Sequence, residues 1–281
     1  MRSIWTWARV LGGAGILGVL LWRVGSGPFL DGVRNIDAFA LVAAFAVGVA
    51  TTVSCAWRWS VVATGLGAHL PLREAVAAYY QSQFLNVTLP GGVLGDVHRA
   101  VRHGMRSVVV ERVAGQIVQV ALAVIVLAAL PSPVRSFMPW VALIVVVLAA
   151  FALYAAGPDI RRGLLGNGRW VAVLVATAVV LGGQLAIFVF AARTAGSDAP
   201  LKSLVPLTLL ALFAMTVPLS VAGWGPREGV AAWAFGVAGL TSTQGVTSAV
   251  TYGVLVFVAS LPGAGVLLIR WFSRVPEVVR G

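Results

Sequence analysis

The chain has 281 residues, of which 59% are hydrophobic and 10% charged, with a mean hydropathy of +0.95 and a formal net charge of +11. A soluble domain is about one-quarter charged, so this composition excludes a surface covered by polar groups. The basic residues sit at the ends of apolar runs, which points to anionic lipid head groups and the positive-inside rule rather than to nucleic acid. The single Cys55 excludes an internal disulfide, and three histidines without a Cys/His cluster offer no metal site.

In lipid every backbone N–H and C=O must be satisfied internally, so spans are helices or a closed barrel. The apolar runs here are long and continuous, which selects helices. The first covers about 4–22 and reads as an uncleaved span, because no Ala-x-Ala-like site follows it. Five more runs follow at about 38–57, 111–130, 139–156, 170–190 and 246–269, separated by polar turns such as Gly157-Pro158-Asp159. Eight tryptophans near span ends, Trp59 among them, read as an interfacial belt.

Two further segments, about 72–106 and 201–240, are each broken by proline and glycine. The first reads Leu89-Pro90-Gly91-Gly92-Val93-Leu94-Gly95-Asp96-Val97-His98-Arg99, and the second Val217-Pro218-Leu219-Ser220-Val221-Ala222-Gly223-Trp224-Gly225-Pro226-Arg227-Glu228. Aligned on the proline, both read aliphatic-Pro-x4-Gly-x3-Arg. Leu204–Val217 makes only about 21 Å of helix, short of a hydrocarbon core of roughly 30 Å. Each broken segment is therefore expected to form a re-entrant hairpin, with its turn sheltered by protein or a watery cavity. Matched Gly/Pro-interrupted segments in two halves mark a transporter's binding site.

With the N-terminus in the cytoplasm, fourteen of the twenty Lys/Arg fall inside and five outside, and Arg227 stays in the second break. The first hairpin then enters from the cytoplasm and the second from outside, giving an inverted repeat. The expected fold is all-α and polytopic: six spans plus two re-entrant hairpins in one domain over 1–281, or eight spans by hydropathy alone.

At the second break Pro226 suits the first helical position and Glu228 the first turn, which is ordinary capping. An Arg-Glu pair at membrane depth is also functional by default, and Arg227 beside free N–H groups would hold a phosphate or carboxylate. At the first break Asp96 is expected to cap a helix that carries Arg99, Arg102 and Arg106 on one face. Asn86 could bond the freed carbonyls of the turn. Arg58-Trp59 and Glu111-Arg112 either snorkel to the interface or partner the charges of the breaks. Asp96 and Arg99 would line an inward cavity and Arg227 and Glu228 an outward one, with Gly91, Gly92, Gly223 and Gly225 leaving room. No hydrolase elbow, zinc-protease motif, Asp-rich pair or phosphate loop is present, so neither an enzyme nor a cofactor is expected.

On Arg58-Trp59, Asn86, Leu89-Pro90-Gly91-Gly92, Gly95 to Arg99, Glu111-Arg112, Pro218, Ser220, Gly223, Gly225, Arg227 and Glu228, the chain resembles the lysylphosphatidylglycerol synthase transmembrane region, also called the flippase-like family. Some members translocate aminoacylated phosphatidylglycerol, and others accompany glycosyltransferases. The soluble aminoacyl-transferase domain is missing, so synthase activity is not implied. Trp224 and Pro226 replace smaller or aliphatic residues, which alters the pocket. The resemblance implies a lipid translocase for an anionic or phosphate-bearing lipid or glycolipid in the inner membrane, and the charge bias is expected to keep both termini cytoplasmic. The alternative is a non-transporting subunit that scaffolds a glycosyltransferase or lipid-modifying enzyme.

Overall fold

A computed structural model gives the fold for residues 2–34, 36–89, 94–215 and 224–272, the described residues. They form thirteen α-helices and no strand. Helix α1 (Arg2–Val24) turns through 98° at Gly25 into α2 (Gly27–Arg34), which packs crosswise on the bundle. After α3 (Ala38–Gly65) come α4 (Leu72–Thr88) and α5 (Leu94–His103), then α6 (Met105–Ala129) and α7 (Met138–Ala155). A short α8 (Gly157–Leu165) leads into α9 (Arg169–Thr194), and α10 (Leu201–Ala214) and α11 (Pro226–Val237) flank the second break. The order closes with α12 (Ser242–Ser260) and α13 (Pro262–Phe272).

Five of the segments are long and apolar enough to cross a membrane, and α1 with α2 makes a sixth if the bent pair counts as one. These match the six apolar runs of the sequence. The helices of the second and third runs extend further than expected: α3 continues to Gly65 and α6 begins at Met105. Charged residues expected at span ends, Arg58 and Glu111, therefore lie inside helices.

The core is built from α3, α9 and α12. Ala40, Ala44, Ala191, Ala211, Ala231 and Ala249 meet around Phe188, Tyr252 and Leu255. Alanine at these crossings lets backbones approach closely, which is how helices gain packing energy in lipid. Many other large apolar side chains point outward. On α7, Trp140, Leu143, Ile144, Val147, Leu148 and Phe151 are all exposed, an arrangement that only lipid solvates.

Each broken segment folds back on itself. In the first, a Cβ on Gly95 would stand 2.0 Å from the Ser82 carbonyl oxygen, so only glycine lets α5 lie this close to α4. The open end is tied by His103 Nδ1 and Glu74, 3.4 Å apart. It lies at the C-terminal part of α3, where Ser60 Oγ donates to Leu70 O (2.7 Å) and Trp59 meets His103 edge-on. In the second, Leu204 and Leu207 near the start of α10 pack with Ala234 and Phe235 of α11 and Ala192 of α9. That end is near the start of α3, since Phe39 meets Phe190. The two hairpins thus open toward opposite ends of α3.

This arrangement predicts accessibility. With Cys55 replaced by Ser, cysteines at the exposed His69 and Asp198 should react with impermeant thiol reagents from opposite sides of the membrane. Labelling of both from one side would reject the assignment of the hairpin mouths.

Candidate functional site

Glu111 lies on the second turn of α6 and is fully buried. Its Oε1 accepts from Arg58 Nε (2.9 Å), Arg58 Nη2 (2.5 Å) and the Tyr79 hydroxyl (2.7 Å), and its Oε2 accepts from Arg99 Nη2 (3.2 Å). Arg58 Nη1 also donates to Thr177 Oγ1 on α9 (2.8 Å). A Cβ on Gly115 would stand 2.6 Å from the Arg58 guanidinium, so this glycine, one turn beyond Glu111, makes the space that Arg58 occupies. Arg58 and Glu111 do not snorkel. They are paired inside the bundle, because α3 and α6 extend past them.

Arg99 is 1% exposed and held by rings: its Cζ lies 4.0 Å from the Tyr79 centroid and 4.5 Å from that of Trp59. Such a cage favours a cation by ~1–2 kcal/mol when desolvated. Trp59 is therefore no interfacial tryptophan. It is fully buried, and its Nε1 donates to Ser107 Oγ (3.3 Å). Arg99 Nη2 also reaches Asp96 Oδ1 (3.3 Å), while its Nε and Nη1 are buried without a hydrogen-bond partner among the described residues.

Asp96 does not cap its helix. Because α5 starts at Leu94, Asp96 falls in the first turn and faces α4 and α6. It accepts from Ser82 Oγ (3.0 Å), Asn86 Nδ2 (3.1 Å) and Arg112 Nη2. Asn86 Oδ1 accepts from Gly95 N–H (2.8 Å), so this side chain bonds a helix start rather than freed carbonyls. Arg106 does not share a face with Arg99 and Arg102, because a break at Gly104 puts it on α6.

The second break is more self-contained. Gly225 precedes α11 with φ +119°, a backbone angle suited to glycine, and its N–H donates to Glu228 Oε2 (2.7 Å). Arg227 Nε donates to Glu228 Oε1 (2.9 Å), and Nη2 bonds the same oxygen. The Arg227 Cζ lies 5.2 Å from the rings of both Trp224 and Tyr252. A Cβ on Gly253 would meet Arg227 Nη2 at 2.4 Å. Arg227 and Glu228 are 3% and 0% exposed, so they do not line an open cavity as expected. Sequence reasoning missed Tyr79, Tyr252, Thr177, Gly115 and Gly253, which look like ordinary residues of apolar helices.

Between the two breaks lies one polar cavity of about 300 Å³. Asn86 and Arg112 of the expected site face it, with Arg58, Tyr79, Gln83, Gln119, Gln184 and Tyr252. The Arg112 side chain is 49% exposed there. Neither Asp96 nor Arg99 is in its wall, nor is Gly225, Arg227 or Glu228. Pro90, Gly91, Gly92, Pro218, Ser220 and Gly223 fall outside the described residues.

These features define a polytopic helical membrane protein in which two folded-back hairpins each bury an arginine in an aromatic cage. The chain belongs to the lysylphosphatidylglycerol synthase transmembrane region family, whose model matches residues 6–164 and 155–263. No curated protein matches it.

Removing one member of a buried ion pair costs about 3–5 kcal/mol because the other charge is stranded. Glu111→Gln should therefore lower the thermal midpoint in detergent sharply, whereas Asp198→Asn in the exposed turn before α10 should change stability by less than about 0.5 kcal/mol. Equal midpoints would show that Glu111 does not hold the cluster.

Proposed function

We propose that the protein is a lipid translocase of the inner membrane, with both termini cytoplasmic, that moves a lipid or glycolipid bearing an anionic phosphate between leaflets. The observation that carries this reading is the unbalanced charge beside the central cavity. Arg58, Arg99 and Arg112 stand against only Glu111 and Asp96. The surplus positive charge suits one phosphate negative charge, and Arg112 is the cation of the three whose side chain is most exposed. Arg112 would meet the head group in the cavity while its carboxylate partner fixes the guanidinium plane. Amide and hydroxyl groups of Gln83, Gln119, Gln184 and Tyr79 would take the remaining polar atoms. The lipid tails would stay in the bilayer, so no enzyme chemistry and no cofactor enter the scheme.

A second reading, a non-transporting subunit that scaffolds a glycosyltransferase or lipid-modifying enzyme, draws on the sealing of Arg227 and Glu228. A pair so completely enclosed serves a fixed fold as well as a moving one.

The test is a leaflet-resolved assay with purified protein in phosphatidylcholine vesicles that contain fluorescent-tailed phosphatidylglycerol. An impermeant quencher should reach only the outer leaflet in protein-free vesicles and both leaflets with the wild type. Arg112→Lys should slow inner-leaflet quenching by about tenfold, the equivalent of ~1.4 kcal/mol, because a point charge cannot replace the planar fork. Folded wild-type protein that leaves the inner leaflet unquenched would reject translocation of this lipid and leave the scaffold reading standing.

A further inference from the structure

A second polar pocket, of about 390 Å³, lies at the end of the bundle where α3 stops and α9 begins. Arg106 of α6, Arg162 of α8 and Arg169 of α9 converge on it, with Asp159 as the only acid in its wall. Among the described residues no carboxylate lies within ion-pair distance of any of the three arginines. Three guanidinium groups carry fifteen N–H donors. The one hydrogen bond they make to described residues runs from Arg169 Nη1 to Gly163 O (3.3 Å).

Two of these arginines sit where a nearby anion would be favoured. Arg106 and Arg169 occupy the first turns of α6 and α9, where the helix dipole already presents positive charge. Neither helix start has a side-chain cap. The positive-inside bias accounts for arginines at this end of the bundle, but not for three of them lining one recess. The recess is also rigid: Gly65 and Gly163 touch backbone to backbone, so any Cβ at either would clash with the other's carbonyl. The adjacent Trp170 is exposed, as a side chain at head-group depth would be.

We infer that this pocket binds a phosphate group without a cation of its own, from an anionic lipid at the membrane surface or from solution. The site is separate from the central cavity and independent of the translocase reading. Arg106 and Arg169 would hold the phosphate from the two helix starts, and Arg162 would close over it. A zwitterionic head group brings its own cation into the arginine cluster and is disfavoured.

Native mass spectrometry of the full chain in a non-ionic detergent tests this with dioctanoyl phosphatidic acid, dioctanoyl phosphatidylcholine and inorganic phosphate as probes. Wild type should retain a saturable phosphatidic acid adduct and bind phosphatidylcholine at least tenfold more weakly. Arg106→Gln and Arg162→Gln should each weaken the phosphatidic acid adduct by about tenfold, the loss of one charge-assisted contact. Arg135→Gln, at the far end of α6, should not. Displacement by inorganic phosphate would identify solution phosphate as a ligand, and retention of the lipid at high phosphate would identify the head group. If Arg106→Gln fails to fold, the exposed Arg162→Gln decides alone. Unchanged affinity for phosphatidic acid in the folded variants, or equal binding of phosphatidylcholine, would overturn the inference.

Discussion

A carboxylate enclosed in a lipid-embedded bundle must be neutralised where it sits, and Glu111 is held by groups from three other helices, with a fourth behind them. Arg58 comes from α3, Tyr79 from α4 and Arg99 from α5, while Thr177 of α9 holds the far side of Arg58. Desolvation of each charge costs several kcal/mol, and only a nearly complete set of partners offsets it. The cluster therefore constrains the fold beyond its own contacts. The length of α3 and α6, the close seat of α5 on α4 and the missing side chain at Gly115 are all conditions for those guanidinium groups to reach one carboxylate.

The same low dielectric explains what was legible in the sequence. Spans could be read because lipid demands unbroken apolar helices, and the helices found coincide with the six runs. Both hairpins could be read because a proline-glycine break leaves arms too short to cross. The start of α11 followed from Pro226 and Glu228, whose positions match local capping rules. Residues whose role depends on distant partners were another matter. Arg58 and Glu111 are 53 positions apart, and nothing local distinguishes a paired arginine from one that snorkels. Trp59 shows the same limit: by position it belongs to an interfacial belt, yet the first hairpin covers it. Asp96 misled because capping and cross-helix pairing use the same residue type, and the true start of α5 lies two residues earlier.

Exposure in this protein also reverses the habits of soluble folds. Alanines line the helix crossings of the interior, and phenylalanine, leucine and tryptophan face outward on α7. Between helices of this kind no hydrophobic force acts, because lipid tails are as apolar as leucine. Cohesion falls to close packing and to the few polar contacts. Thr251 Oγ1 donates to the Gly32 carbonyl (2.9 Å) and so ties α12 to α2, and Arg270 Nη1 donates to Gln81 Oε1 (2.7 Å), fastening α13 to the first hairpin. The hairpins, too short to cross by themselves, depend most on such fastenings.

The two aromatic cages look alike but are wired differently. Arg99 lies between Trp59 and Tyr79, and Arg227 between Trp224 and Tyr252. The acid partner of Arg227 is the next residue, so α11 can shift as a unit without breaking its ion pair. Of its own contacts beyond that turn, Arg227 would lose Tyr252 and the groove at Gly253. Arg99 is paired across helices, to Glu111 on α6 as well as to Asp96 on its own turn. Any displacement of α5 from α6 must separate Arg99 from Glu111, yet Arg58 would remain to hold that carboxylate, and Asp96 would remain on α5 to hold Arg99. Glu111, Arg99 and Asp96 thus each have two charged partners, whereas Arg58 and Arg112 each have one. Moving the first hairpin away from α6 would leave both carboxylates paired, Glu111 with Arg58 and Asp96 with Arg99. The charge set free by that step is Arg112, the arginine that faces the central cavity.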